Sequence, residues 1–422
     1  MQYYHTPDVV QPLDESPLRL DLYEVATGDW IGPVTKFEKA RVEWVARGVA
    51  SAEITAPWDE ITRRLVKCDY SVVMIARYNG RRQAFFPSLS TIESDPGHAG
   101  IPWVKIDFFS PADSLTGMIY DNKLQAFASK DRNSYRGEIG GFLSGMINQN
   151  AFAGTGPRFD TRWLSSGEWQ AGTLVSGSGD WTTAADALDD LLYSSDLRIE
   201  WVPLLPGERL VDVAGAGLVS ATSRTTGIVG RSGTVTICPV LVPFIDARKA
   251  TEYFDVSTMT PRADSILTQQ FQLKTQRQSA TAAAVEVVMG EDRDQVEYAA
   301  VKSKTQPASH YGNRGVVVEY PDRDSVSVSP YQWGRMQLGR RKGSTTLEAE
   351  TPPQWHRQFG TTEVVGDARI DIGTYVDVSM GLGMWAYMCC DSVAVEVTSQ
   401  GVTVIPTFEV PDNWQATNEF VS

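Results

Sequence analysis

Between Leu18 and Phe109 apolar side chains recur at every second position, in short runs separated by turns. A period of two is what a strand needs when one face is buried and the other wet. Leu18, Leu20 and Leu22 alternate with Arg19 and Asp21; Ala40, Val42 and Trp44 alternate with Lys39, Arg41 and Glu43. Ala52, Ile54 and Ala56 then face away from Ser51, Glu53 and Thr55, and Val104, Ile106 and Phe108 away from Lys105 and Asp107. Ala26–Asp29 and Arg47-Gly48 read as turns. Asn79-Gly80, between Tyr70–Tyr78 and Arg81–Phe86, is the strongest short hairpin signal, because both residues tolerate positive φ. Trp58, Ile61 and Leu65 have helical spacing and predict a short helical plug between strands. The stretch predicts an antiparallel barrel or tight sandwich that holds a shape and carries no catalytic pattern.

The pattern changes after Phe109. Ile139, Phe142, Leu143, Met146 and Ile147 form one helical face, with Ser134 as the expected cap. Gly140, Gly141 and Gly145 each weaken that helix by about 1 kcal/mol relative to Ala, so it needs tertiary support. Gly154–Gly179 is rich in Gly, Ser and Thr and reads as a long loop. A second helix is expected after Thr182 or Thr183, with Ala184, Leu188, Leu191 and Leu192 on one side and Asp186, Asp189 and Asp190 on the other. The strand Leu197–Trp201 follows, ended by Leu205-Pro206-Gly207, and Leu210–Val242 is β-like between glycines. Val285–Met289 and Gly315–Tyr320 read as strands, and Tyr331–Arg341 as a helix. Alternation returns in Thr345–Val410, a smaller echo of the first region in length and strand count.

The expected class is a β-rich α+β multidomain chain. Its divisions are an N-terminal β-barrel (1–125), an α+β insert with two helices (126–206) and a β-rich α/β middle region ending in a helix (207–344). A small C-terminal β-barrel (345–411) and a polar tail (412–422) complete it.

With 422 residues the chain is long enough for about two to four domains with real cores. Its net charge of −14 argues against general nucleic-acid binding, which needs a basic footprint. The charge is compatible with a wall that DNA passes without sticking, though a merely soluble acidic protein is the simpler reading of it. Four cysteines make no disulfide framework. Cys389-Cys390 sit on an expected strand with side chains to opposite faces, which favours buried thiols over a vicinal disulfide. No signal peptide is expected from Met1–His5 onward, and no apolar run approaches the roughly 20 residues that span a bilayer.

Chemistry-bearing motifs are scarce. His5, His98, His310 and His356 have no metal-ligand neighbours at the needed spacing, and neither H-E-x-x-H nor C-x-x-C occurs. Gly227–Gly233 lacks the Lys-Ser/Thr ending of a phosphate loop and reads as a turn. No G-x-S-x-G is present. Glu291-Asp292-Arg293-Asp294 and Asp322-Arg323-Asp324 each carry their own arginine and lack the order of a calcium loop, so both read as solvated turns. No catalytic residue, metal site or cofactor is expected. Of the twelve tryptophans, Trp163, Trp169 and Trp181 cluster in the Gly/Ser-rich region, where they suit either subunit and domain seams or stacking on sugars.

An ordered series lies between Val285 and Lys342: Val287-Val288-Met289-Gly290-Glu291, Tyr311-Gly312-Asn313-Arg314, Val316-Val317-Val318-Glu319 with Asp322, then the Tyr331–Arg341 helix. It resembles the minor tail proteins of long, non-contractile-tailed phages of actinobacteria, the siphovirus tail-hub family, and through them the baseplate hub proteins of tailed phages. Leu20-Asp21-Leu22-Tyr23, Val42-Glu43-Trp44 with Gly48, and Ala52–Pro57 are similar too. The sequence departs from the family in lacking a glutamate soon after Arg314 and in its Gly-rich Val211–Thr236 stretch.

The resemblance implies two small antiparallel β-barrels per chain with α/β insert domains, assembled as a homotrimer. Two barrels in each of three chains give six similar units that match a six-fold tail ring around a central channel. The implied role is a non-enzymatic virion protein, the tail-tip or baseplate hub, made in the host cytoplasm. It would join the distal tail ring, the tape-measure protein and tip or receptor-binding proteins, and serve host attachment and DNA ejection, with DNA passing unbound. Larger relatives add a peptidoglycan-cleaving or fibre-like extension, which here is expected on another protein. Two rivals remain: a carbohydrate-binding or glycan-cleaving β-protein using Trp163, Trp169 and Trp181, and a secreted β-sandwich adhesin.

Overall fold

The computed structural model describes residues 18–78, 81–94, 102–117, 133–149, 158–162, 164, 172–179, 183–193, 197–213, 227–246, 271–276, 282–289, 295–302, 315–320, 329–339, 344–349, 372–381 and 384–409. The chain is β-rich with few helices.

The first region builds seven strands: β1 (Leu18–Glu24), β2 (Trp30–Pro33), β3 (Lys39–Val45), β4 (Ser51–Pro57), β5 (Val72–Tyr78), β6 (Arg81–Ser94) and β7 (Pro102–Phe109). β3 and β4 bury every second residue, as their alternation requires. Between β4 and β5 sits helix α1 (Glu60–Leu65). The Asp59 side chain accepts from the Thr62 N–H, and the Thr62 hydroxyl accepts from the Asp59 N–H, a reciprocal cap that satisfies two of the donors a helix start leaves open. β5 and β6 pair with Tyr78 opposite Arg81, the register a two-residue Asn-Gly turn imposes. β6 does not stop at Phe86. It runs to Ser94, leaving β5 for β7 at an irregularity between Pro87 and Leu89. Proline lacks the N–H a ladder uses, so it fits where a strand bends from one partner to another. The short helix α2 (Asp113–Thr116) follows β7.

The next region contains β8 (Asn133–Glu138), helix α3 (Ile139–Gln149), β9 (Arg158–Phe159), β10 (Leu174–Gly179), helix α4 (Ala184–Tyr193), β11 (Leu197–Leu204), the helical turn α5 (Leu210–Val213) and β12 (Thr236–Pro243). Ile139, Phe142, Leu143, Met146 and Ile147 of α3 are all buried, as their spacing predicts. Ser134 does not cap that helix. It lies in β8, held by the β8–β10 ladder, and α3 begins directly after that strand. For the same reason Gly154–Gly179 is not loop throughout: β9 and β10 fall within it, and β10 supplies the partner that β8 needs. Before α4, the Thr183 hydroxyl accepts from Asp186 N–H and the Asp186 carboxylate accepts from Thr183 N–H, so Thr183 is a cap. β11 is buried on both sides along most of its length and pairs with β12 from Leu197↔Pro243 to Leu204↔Thr236. Within the β-like Leu210–Val242 stretch, the first turn is helical.

The remaining elements are β13 (Ile245–Asp246), β14 (Phe271–Gln276), β15 (Ala282–Met289), β16 (Gln295–Lys302), β17 (Gly315–Glu319), helix α6 (Pro330–Gly339), β18 (Ser344–Ala349), β19 (Thr374–Gly381), β20 (Met384–Thr398) and β21 (Gly401–Glu409). β15 sits between antiparallel β16 and parallel β17, and α6 packs on this small sheet through Trp333 and Leu338. A Cβ on Gly334 would lie 2.6 Å from a methyl of both Val285 and Val301, so only glycine lets the helix approach this closely.

One sheet joins the two ends of the chain. Its order is β14-β18-β21-β20-β3-β4-β7-β6-β5-β1-β2, with β19 also on β20 and β13 on β19. The strands expected as two barrels therefore meet edge to edge through β3 and β20, paired from Val45↔Ser392 to Lys39↔Thr398. They share one core. Leu18, Leu20 and Leu22 of β1 belong to the same buried cluster as Trp44 of β3, Phe108 of β7, Val393 and Val395 of β20 and Phe408 of β21. The sheet must curl for β1 and β20, far apart in strand order, to reach a common interior.

A second core lies on the outer face of the same sheet. Tyr23, Val73, Ile75, Ala84 and Phe86 pack there against α3, α4, β11 and β12. The turn before β2 locks onto this region: Val235 N–H donates to Val25 C=O at 3.0 Å, and the Thr234 hydroxyl to the same oxygen at 2.9 Å. Gly28, at φ 76°, completes the contact, since a Cβ there would meet Pro206 at 2.5 Å.

Candidate functional site: an arginine-lined cleft

Alternation in β1 sends Leu18, Leu20 and Leu22 inward, so Arg19 and Asp21 face the outer side of the sheet. The antiparallel register sets Arg19 opposite Arg77 of β5. Two like charges across a ladder destabilise it. Asp21, with 0% of its side chain exposed, resolves the conflict by pairing with both: Arg19 Nε lies 2.7 Å away, and Arg77 Nη1 donates to it at 2.8 Å. Trp30 Nε1 also donates to Asp21 at 3.4 Å, and Arg77 Nη2 to the Tyr23 hydroxyl at 3.3 Å. A buried carboxylate is tolerable only when charge and hydrogen bonds replace its lost water, and both do so here.

The start of β6 adds Arg81 and Arg82. Arg82 forms a two-pronged bond to Glu208, at 2.9 and 2.7 Å. Glu208 also accepts from Leu205 N–H at 2.8 Å, which ties it to the turn ahead of α5. Burial pushes the Glu208 carboxyl up, but the bonds from Arg82 and Leu205, with the charges of Arg82 and Arg77, outweigh burial and hold it below its ordinary value. Arg81 lies 3.2 Å from Glu200 of β11, which also pairs with Arg198. Arg19, Arg77, Arg81, Arg82 and Arg209, with Glu208 and Asp212, line an open cleft of about 630 Å³. Guanidinium groups held in place by carboxylates present further N–H donors in fixed directions, which is the equipment for gripping an oxyanion.

A second polar locus lies on the seam between β3 and β20. β20 is irregular between Cys390 and Ser392, and the intervening Asp391 accepts from Ala46 N–H through its backbone carbonyl. The Asp391 carboxyl is pushed up to about 6, first by burial and then by the charges of Glu409 and Glu43, against the pull of Arg47. Ser392 donates to Glu43 at 3.1 Å, and the Arg47 guanidinium sits 4.8 Å above the Phe244 ring. Cys389 and Cys390 are buried and form no disulfide. Burial, with the nearby Asp391 charge, pushes the Cys389 thiol up to about 12, the environment of an inert thiol.

Trp163, Trp169 and Trp181 all lie outside the described residues, as do the four histidines and both acidic runs, Glu291–Asp294 and Asp322–Asp324. Gly227–Gly233 is described and packs as a turn: Val229 bridges Arg209, and a Cβ on Gly230 would meet the Leu205 carbonyl at 2.1 Å. Among the described residues no group of three or more His, Cys, Asp or Glu stands close enough to hold a metal, and no helix is long and apolar enough to cross a membrane. Sequence reasoning missed the arginine cleft. The signal available to it was the placement of Arg77, Arg81 and Arg82 around an Asn-Gly hairpin in an otherwise apolar pair of strands.

No protein-family model matches the chain, and no curated protein does. Its backbone is similar to phage tail and baseplate proteins. The 43 kDa tail protein of prophage MuSo2 from Shewanella oneidensis shares 9% identity at a TM-score of 0.49, over 93% of this chain and 99% of that one. A tail protein from Neisseria meningitidis shares 11% identity at 0.47, over 94% and 98%. A chain of the phage P2 baseplate, in its activated conformation with Ca, shares 7% at 0.37, over 92% and 98%. Identities this low carry no activity or partner across.

Proposed function

We propose that this chain is a structural virion protein: the trimeric hub at the tail tip or baseplate of a long, non-contractile-tailed phage. The observation that carries the reading is the β3–β20 seam, which fuses the strands of the two chain ends into one curled sheet around one core. In this reading each end of the chain supplies one strand unit of that sheet, two per chain, and three copies supply six. A ring with six-fold symmetry needs that count of similar surfaces. The ordered Val285–Lys342 series, which resembles the siphovirus tail-hub family, supports the same reading. In this role the protein is not an enzyme. It joins the distal tail ring to tip or receptor-binding proteins and gates the passage of tape-measure protein and DNA through an acidic channel.

Light scattering over a concentration series, alone and with the purified distal tail protein, tests this. The expected species is a trimer of about three times 46.5 kDa that forms alone or on the ring. A chain that stays monomeric at every concentration and fails to join the ring would sink the reading.

A further inference from the structure

We propose that the arginine-lined cleft is a docking site for an acidic peptide segment of a partner protein, whose carboxylates seat on Arg19, Arg77 and Arg209. The inference stands apart from the tail reading, because the cleft and its ligand can be examined on the isolated protein.

Charge comes first. The chain carries −14, yet five arginines line this single cleft. Arg19 and Arg77 share one carboxylate, Asp21, so that trio holds one positive charge more than it neutralises. Arg209 meets Asp212 only at 3.8 Å, with 47% and 64% of the two side chains exposed, a contact easily exchanged for a better one.

Geometry comes second. Arg19 meets Asp21 at its Nε, 2.7 Å away, with 57% of the side chain exposed, so the guanidinium is accessible to a further acceptor. Arg77, 29% exposed, is fixed by Asp21 and by the Tyr23 hydroxyl. Asp21, fully buried beneath them, anchors both guanidiniums in place before any ligand arrives. Less side-chain freedom is then lost on binding, which is how preorganised sites gain affinity. Arg82 deepens the same wall: its side chain is 9% exposed, and its Nε has no hydrogen-bond partner among the described residues. A volume of about 630 Å³ admits several side chains.

The lining also selects against nucleic acid. Glu208 and Asp212 interrupt the basic wall, and the surrounding protein is acidic. A continuous line of phosphates is repelled at both, whereas discrete carboxylates on a peptide fit between them.

The test uses the full chain and a short fluorescent peptide of alternating Asp and Glu, followed by anisotropy at low salt, where charge contacts are least screened. A lysine peptide and a single-stranded DNA oligonucleotide run in parallel. Arg19→Gln combined with Arg209→Gln alters only exposed ends of the cleft. Lys36→Gln combined with Arg64→Gln removes the same charge from exposed positions that do not line it. Saturable binding of the acidic peptide, weakened by about tenfold or more in the cleft variant and unchanged in the control, is the expected result. Three results would overturn the proposal: no saturable peptide binding, equal loss in cleft and control variants, or tighter binding of DNA through the same arginines.

Discussion

Strands β4 and β5 belong to one sheet and differ in what covers them. β4 buries Ala52, Ile54 and Ala56 in the inner core and leaves Ser51, Glu53 and Thr55 part-exposed. β5 buries Met74, Ala76 and Tyr78 in that core and Val73 and Ile75 in the second one, under α3, α4, β11 and β12. The charges differ in the same way. Outside β3 and its neighbours, Lys39 and Arg41 meet Glu396, and Lys105 meets Glu53, in part-exposed pairs. Outside β1 and β5, Asp21 is sealed from water. The outer face of this sheet is thus a protein surface at one end and a domain interface at the other, and the arginine cleft lies at the second end, beside β1, β5 and β6.

The largest effect that can break this comparison is at Ile75. Ile75→Ala is expected to cost about 2–5 kcal/mol in chemical denaturation, the usual range for a truncated core side chain. Glu53→Ala, at the corresponding outer face of β4, should stay within about 0.5 kcal/mol. A loss below that of an ordinary surface change at Ile75 would mean that the second core does not form.

The two kinds of ion pair give the next contrast. Asp21→Ala leaves two guanidiniums facing each other across a ladder and should cost about 3 kcal/mol. Solvent access at Arg19 and Arg77 keeps that figure at the low end of what a broken buried pair costs. Glu396→Ala, which removes a part-exposed partner of Lys39 and Arg41, should cost less than about 1 kcal/mol. Equal losses in the two variants would erase the distinction between the ends of the sheet.

The smallest effect sharpens the picture at the seam. A carboxyl that binds its proton more readily when folded adds stability that is fully present below its ordinary value of 3.8 and lost as pH rises through the folded value. For Asp391 that window runs from its ordinary value up to about 6, with Glu43, Glu409 and Arg47 as the charged groups facing it. Asp391→Asn should flatten the fall in stability across this window and gain roughly 1 kcal/mol near neutral pH. Unchanged pH dependence in the variant would show that Asp391 is hydrated at the seam.

Patterns read over a few residues survived folding because their causes are local. The short helix around Ile61 and Leu65, the cap at Thr183, the Tyr78–Arg81 hairpin register and the buried face of α3 each depend on side chains within one or two turns of each other. Ser134 was misread because a cap and a strand residue look alike until the partner strand, β10, is known. The unbroken apolar run Val72–Ala76 held a clue to double burial, since a strand wet on one face would have alternated.

By itself, then, the sequence determined which faces are apolar, where the hairpin turns, where the longer helices form, and that the chain as a whole is acidic. The tertiary structure alone decided which strand edge meets which. Lys39–Val45 pairs with Ser392–Thr398, and Arg19, Arg77, Arg82 and Glu208 converge from distant segments. The physical reason is that alternation specifies the face a strand buries but not its neighbour. Every strand edge offers the same row of N–H and C=O groups, so only the summed packing of the two cores selects among partners.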